Sequence, residues 1–170
     1  YALGLHGPCV TYDTACSAAL AACHGGFRAL QLGECDWGVA SGVNMMLGPR
    51  ASMCFAVAGM TSVRGRSHTF DARADGFARS EACGAVALGG DMVAGGLGVC
   101  GSAVRQDGRS ASLTAPNGQA QQYLLLASLA EAGVAAANLA LVEAHGTGTA
   151  LGDPIEVGSL STAVLASRGG

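Results

Sequence analysis

The sequence predicts an α/β domain in which short strands alternate with helices and pair in parallel. Three observations carry that expectation. Short runs of β-formers recur, as in Val10-Thr11-Tyr12 and Leu141-Val142. Alanine- and leucine-rich runs with helical spacing lie between them. The two kinds alternate along the chain, which favours crossover connections and parallel strands.

Taken in order, Pro8 to Thr14 reads as a strand. Ser17 to Leu32 reads as a helix, with Leu20, Cys23, Phe27 and Leu30 on one face and Gly33 as its stop. Gly25-Gly26 in its middle costs about 1 kcal/mol per glycine relative to alanine, so a close backbone approach is expected there. Trp37 to Val43 is a short buried strand, and residues 44–80 are irregular apart from a helical turn around Met53 to Gly59. Gly84 to Leu88 is a further strand, and the glycine-dense stretch Gly89 to Gly98 marks a boundary. Val99 to Val104 is again strand-like. Asn117 caps a helix that runs to Gly133. Leu139 to Ala144 is a strand. Asp153 caps the last helix, Pro154 takes its first position, Glu156 completes a capping box, and the helix runs to about Ala166. No internal repeat is visible.

Composition narrows the function. Half of the 170 residues are apolar and 12% are charged. That suits a dry α/β interior, or a subunit partly covered by a partner, and is unlike a disordered chain. The net charge of −3 argues against a nucleic-acid partner. The seven cysteines are odd in number and form no C-x-x-C pair, so neither a disulfide framework nor a zinc ribbon is expected. No H-E-x-x-H or similar ligand spacing appears, so no metal is expected. That cysteine usage makes a reducing, cytoplasmic setting the expectation. Neither a signal peptide nor an apolar run of membrane-spanning length is visible, and no membrane partner is expected. The start at Tyr1 and the end at Gly169-Gly170, just after a helical pattern, read as the ends of an internal fragment.

Two residues stand out chemically. Cys16 sits where the predicted strand meets the predicted helix. A tight turn there presents the side chain, and the partial positive charge of a helix N-terminus favours a thiolate. The alternative is a small residue packed at a helix start. His145 ends a predicted strand and opens the loop "HGTGTALG", a common place for catalytic groups in α/β proteins. A structural histidine is the alternative. The loop could also cradle a phosphate, but its glycines read G-x-G-x-x-x-G, one residue too long for the dinucleotide fingerprint. Asp71, Asp75, Arg79 and Glu81 form either an acid/base set or a salt-bridge network under a turn.

Four stretches, in order, resemble the ketosynthase domain of type I polyketide synthases: "GPCVTYDTACSAAL", "TFDARADGFARSEACG", "GSAVRQDGRSASLTAPNGQAQQ" and "VEAHGTGTALGDPIEVGSL". The resemblance covers nearly the whole chain. It departs locally, with Ser80-Glu81-Ala82 where the family commonly has G-E-G and Arg105 before Gln106-Asp107-Gly108. It implies a thiolase-like layered αβαβα fold, here partial: residues 1–88 in an N-terminal half, 89–98 as a connection, and 99–170 in a C-terminal half. It implies that Cys16 and His145 are catalytic. Cys16 would carry the acyl chain as a thioester, and His145 would stabilise the enolate of a decarboxylating, malonyl-type extender. Thr147 and Thr149 would bind the phosphopantetheine arm of an acyl carrier protein. That arm is a substrate tether, with no cofactor bound. A homodimer is implied as well. The family's second histidine, lysine and glycine-rich oxyanion loop have no counterpart in these 170 residues. The other readings are a fatty acid synthase ketosynthase or another thiolase-like condensing enzyme, and a non-catalytic interaction subunit of the same fold.

Overall fold

The computed structural model describes residues 1–90, 96–112 and 114–166. Part of the expected connection, residues 91–95, lies outside the described residues. The chain forms two compact units, each discontinuous in sequence: Tyr1–Met45 with Glu81–Val104, and Met46–Ser80 with Arg105–Gly170.

The first unit packs one helix on a two-stranded sheet. Helix α1 (Ala18–Gln31) follows directly from a 3-10 turn at Ala15–Ser17. It ends where Gly33 takes a left-handed φ of 69°, as its sequence predicts. Strands β1 (Trp37–Asn44) and β2 (Ala82–Gly89) pair antiparallel, with Trp37 opposite Gly89 and Ala40 opposite Val86. Ala21 and Ala29 of α1 and Ala40 of β1 are buried. The glycine pair in α1 has the expected cause. A Cβ on Gly25 would collide with the Tyr12 phenol, and one on Gly26 would come within 2.9 Å of Leu88 Cδ1. Gly42 likewise admits Ala19 of the helix against the sheet. Close contact of α1 with Tyr12 at Gly25 and with β2 at Gly26 offsets the helix propensity those two glycines lose.

The second unit is mainly helical. Helix α2 (Pro49–Val57) begins earlier than the single turn expected around Met53. The start signal is Pro49 in the first helical position, where a missing N–H costs nothing. Helix α3 (Gly118–Ala132) is capped as predicted: the Asn117 side chain accepts from Gln119 N and Ala120 N, and Gly133 closes it at φ 63°. Asn117 also donates from its side chain to Asp107 O and from its backbone to Asp107 Oδ2, tying the Gln106-Asp107-Gly108 turn to the helix start. Helix α4 (Gly152–Leu160) runs into a π-helical turn at Ser161–Leu165. The α3–α4 contact is close: Ser159 Oγ lies 3.0 Å from Gly118 O and 2.8 Å from Ile155 O. Val164, Ala163 and Ser159 are buried there.

The strand expectations need correcting. Residues 8–14, 99–104 and 139–144 are not strands, and β1 and β2 pair antiparallel, not in parallel. Among the described residues, the one parallel bridge joins Thr61 and Phe77. Strand propensity selects residues that fit a pleat, but a ladder also needs a neighbour at hydrogen-bonding distance. Residues 8–14 are exposed throughout.

Candidate active site

Cys16 occupies the 3-10 turn that feeds α1, and its side chain is exposed. The residue before it, Ala15, has a left-handed φ of 54°. That conformation is uncommon for a residue with a Cβ. The turn is held by its neighbours: Ser17 Oγ lies 2.9 Å from Thr14 Oγ1 and 3.0 Å from Thr14 O, and Ser17 N donates to Thr14 O. The result is a reversal in which chain direction changes at Ala15 and the Cys16 thiol projects from the first turn. The other six cysteines are free thiols outside this setting. In the same unit, His24 Nδ1 lies 2.9 Å from Ser102 Oγ, a structural pairing.

The second unit carries His145, Thr147 and Thr149 on one loop. Gly146 (φ 53°) and Gly148 (φ 74°) curl it back on itself. Both glycines also admit a second segment: a Cβ on Gly146 would meet Thr69 Cγ2 at 2.6 Å, and one on Gly148 would meet His68 N at 2.8 Å. The Thr147 and Thr149 hydroxyls lie 3.1 Å apart. Thr149 Oγ1 additionally accepts from Gly152 N at 3.1 Å, so it helps to close the start of α4. The His145 ring is exposed and makes no hydrogen bond among the described residues.

Helix α4 supplies two carboxylates to this loop. The capping expectation is corrected here. The helix starts at Gly152 after Leu151, so Asp153 is its second residue and Pro154 its third. Asp153 is 4% exposed. Its Oδ1 accepts from Gly148 N at 3.0 Å and Thr149 N at 3.3 Å, and its Oδ2 accepts from Phe70 N at 2.7 Å. Glu156 accepts from His145 N at 2.6 Å and Gly146 N at 2.8 Å. The left-handed glycines turn these amides toward the helix start, so the acids serve the loop and do not cap the helix end. Sequence reasoning missed that role. The available signal was two acids three residues apart in the first turn, directly after a glycine-rich loop.

Segment 67–77 braces the loop from the other side. Thr69 Oγ1 donates to Gly146 O, and Gly76 N donates to Gly148 O at 2.9 Å. Phe70 holds a left-handed φ of 55°, an outlier for so bulky a residue, and donates its N–H to Asp153. A cleft of about 320 Å³ opens here, lined by Phe70, Ala74, Thr149, Asp153, Pro154 and Val157. The charged residues of this segment take different partners. Asp71 pairs with Arg73 at 2.8 Å, and that guanidinium holds its carboxyl well below the usual carboxylate range. Asp75 accepts from Ser62 and faces Arg64 at 3.8 Å. Arg79 donates to Ser52 and lies over the Phe55 ring. Glu81 belongs to the other unit. No group of three or more metal-type ligands occurs among the described residues, and no helix there is long and apolar enough to cross a membrane.

The profile described as "Beta-ketoacyl synthase, N-terminal domain" matches residues 1–94, and "Beta-ketoacyl synthase, C-terminal domain" matches residues 98–169. The chain is 45% identical to erythronolide synthase EryA3 of Saccharopolyspora erythraea, over 99% of this chain and 6% of that protein. It is 46% identical to a mycocerosic acid synthase-like polyketide synthase of Mycolicibacterium smegmatis, over 95% of this chain and 8% of that protein. Among solved structures, the oxazolomycin ketosynthase domain OzmH KS7 of Streptomyces albus superposes with a TM-score of 0.89 at 38% identity, covering 95% of this chain and 29% of that one. The ketosynthase from module 6 of the bacillaene synthase of Bacillus subtilis gives a TM-score of 0.90 at 35% identity, covering 97% and 31%. The chain therefore has the thiolase-like fold of these ketosynthases, spans less than a tenth of the curated relatives' length, and belongs to the β-ketoacyl synthase family.

Proposed function

We propose that this chain supplies the nucleophile and the first histidine of a polyketide-synthase ketosynthase, an acyltransferase that performs decarboxylative Claisen condensation. The observation that carries the reading is the left-handed Ala15 that projects the Cys16 thiol from the start of a helix. In the proposed reaction, the Cys16 thiolate attacks the thioester carbonyl of an acyl chain held on an acyl carrier protein. The carrier's pantetheine thiol leaves, and the acyl group rests on Cys16. A malonyl-type extender on a carrier protein then loses CO₂, and its C–C bonding electrons become an enolate. That carbon attacks the Cys16 thioester and expels the thiolate, giving a β-ketoacyl chain on the carrier.

His145 meets the enolate as a hydrogen-bond donor, where developing charge is greatest. The Thr147 hydroxyl takes the pantetheine arm. Thr149 shares that task with its bond to Gly152, so Thr147→Val is the cleaner probe of arm binding. The domain division at residues 89–98 and a homodimeric assembly belong to the same proposal. The first is supported by two family profiles that meet between residues 94 and 98.

The test supplies acyl- and malonyl-carrier protein to the full-length protein that bears these residues. Wild type forms β-ketoacyl product, and Cys16→Ala loses both acyl loading and condensation. The 170 residues expressed alone form no product, because the family's second histidine, lysine and oxyanion loop are not among them. Losing oxyanion stabilisation by itself costs about 100- to 1,000-fold. Condensation that survives Cys16→Ala defeats the reading.

A further inference from the structure

Ser17 stands at the cap position of α1, with φ −91° and ψ 1°. A serine there ordinarily turns its hydroxyl into the helix and accepts from an amide of the first turn. This one makes no such bond. Its Oγ turns back instead, to 2.9 Å from Thr14 Oγ1 and 3.0 Å from Thr14 O, while Ser17 N donates to that same carbonyl at 3.3 Å. Thr14, at the cap position of the 3-10 turn, makes no side-chain cap either. Two residues of the kind that caps helices are therefore bonded to each other. They enclose Ala15, which holds the left-handed φ, and Cys16. From the preceding side, Asp13 Oδ1 accepts from Ala15 N only at 3.4 Å, so the hydroxyl pair is the closer restraint.

We propose that Ser17 and Thr14 are positioning residues for Cys16: their hydroxyls clasp across the Ala15–Cys16 turn and hold the direction in which the thiol leaves it, in place of capping α1. The proposal rests on the reading of Cys16 as the nucleophile that takes the acyl chain. Attack on a carrier-bound thioester needs the sulfur placed close to the carbonyl carbon along a narrow approach, because the acyl group arrives already oriented by its carrier. A small, freely diffusing electrophile such as iodoacetamide can turn to meet the thiolate. Loss of aim therefore separates the two reactions, whereas loss of thiolate or of the fold slows both.

The experiment is done on the full-length protein. Acyl loading from a carrier protein and alkylation by iodoacetamide are measured side by side, both read on the Cys16 peptide. Ser17→Ala removes one hydroxyl, and Thr14→Val removes the other while keeping the shape. Each should slow loading at saturating acyl carrier by about 10- to 100-fold, since a misplacement of about 1 Å costs about 100-fold. The alkylation rate and its pH profile should stay within about threefold, because the thiolate fraction does not depend on aim. Combining the two substitutions should slow loading no further, since either one alone opens the clasp. Ser17→Thr and Thr14→Ser keep the hydroxyls and should load at close to the wild-type rate. The clasp is exposed, so unfolding midpoints should move little. Loading that is unchanged in both single variants overturns the proposal and leaves the reading of Cys16 standing. So does alkylation that slows as much as loading, or a loss of loading that the hydroxyl-keeping variants share. Loading that persists in Cys16→Ala overturns the reading of Cys16 and the proposal together.

Discussion

Ala15 is the residue on which the Cys16 turn depends. Its left-handed φ of 54° stores strain that the Thr14–Ser17 hydrogen bonds hold in place. Backbone strain of this kind costs about 1–3 kcal/mol and clusters at functional turns. A β-branched side chain makes the conformation worse. Ala15→Val should therefore destabilise the protein by about 1–3 kcal/mol and slow acyl loading at Cys16, read by denaturant unfolding and by labelling rate. A variant as stable and as reactive as wild type would show that the turn is dispensable. At Asp71, the bond from Arg73 lowers the carboxyl pKa in the folded protein. The resulting stabilisation is complete above the ordinary carboxylate range near 3.9 and disappears as pH falls through the lower folded value. The pair is solvent-exposed, with Asp71 35% and Arg73 65% accessible, so the effect is small. The unfolding-midpoint gap between wild type and Arg73→Gln should be constant from about pH 6 to about pH 4 and close toward about pH 2. A gap that widens on acidification would have the wrong sign.

At the scale of elements, most helices and both strands of the sheet were legible, and the antiparallel pairing of those strands was not. Helix α1 could be placed from its apolar spacing and from Gly33, and α3 from Asn117 and Gly133, because those signals act within one turn of the chain. The start of α2 hid behind Pro49, which reads equally well as a loop residue. The segments at residues 8–14, 99–104 and 139–144 have strand-forming composition but no ladder, because pairing is a property of two segments and composition describes one. The same limit applies to the site. Cys16 and His145 could be singled out from where they sit in the sequence. The bonds from Glu156, Asp153 and Thr69 could not, since Thr69 and Gly146 are far apart in the chain and meet only on folding. The glycines in α1 show the converse, a local anomaly with a tertiary cause. Gly25→Ala gains helix propensity of about 1 kcal/mol yet drives a methyl into Tyr12. The net change should be destabilising, with overpacking typically costing about 1–3 kcal/mol. Thermal unfolding checks it, and a stabilised Gly25→Ala would show that Tyr12 does not seat on α1.

For the whole molecule, composition and exposure agree. Half of the sequence is apolar, and much of that surface is open: Trp37, Val39 and Val43 of β1 are 62%, 60% and 69% exposed, and Val10 is 63%. Contiguous apolar surface of that kind marks a face that other protein covers. The chain spans 29–31% of the solved ketosynthases named above. On the proposed function, the chain contributes chemistry in two places: a thiol projected by a strained turn in one unit, and a histidine on a clamped loop in the other. The most direct measurement is to load the full-length protein with an acyl-pantetheine thioester and map the acyl group by peptide mass spectrometry across all seven cysteines. The account predicts a thioester on Cys16 alone, absent from Cys16→Ala. A thioester on Cys9, Cys23 or any other of the seven, or loading that persists in Cys16→Ala, would contradict it.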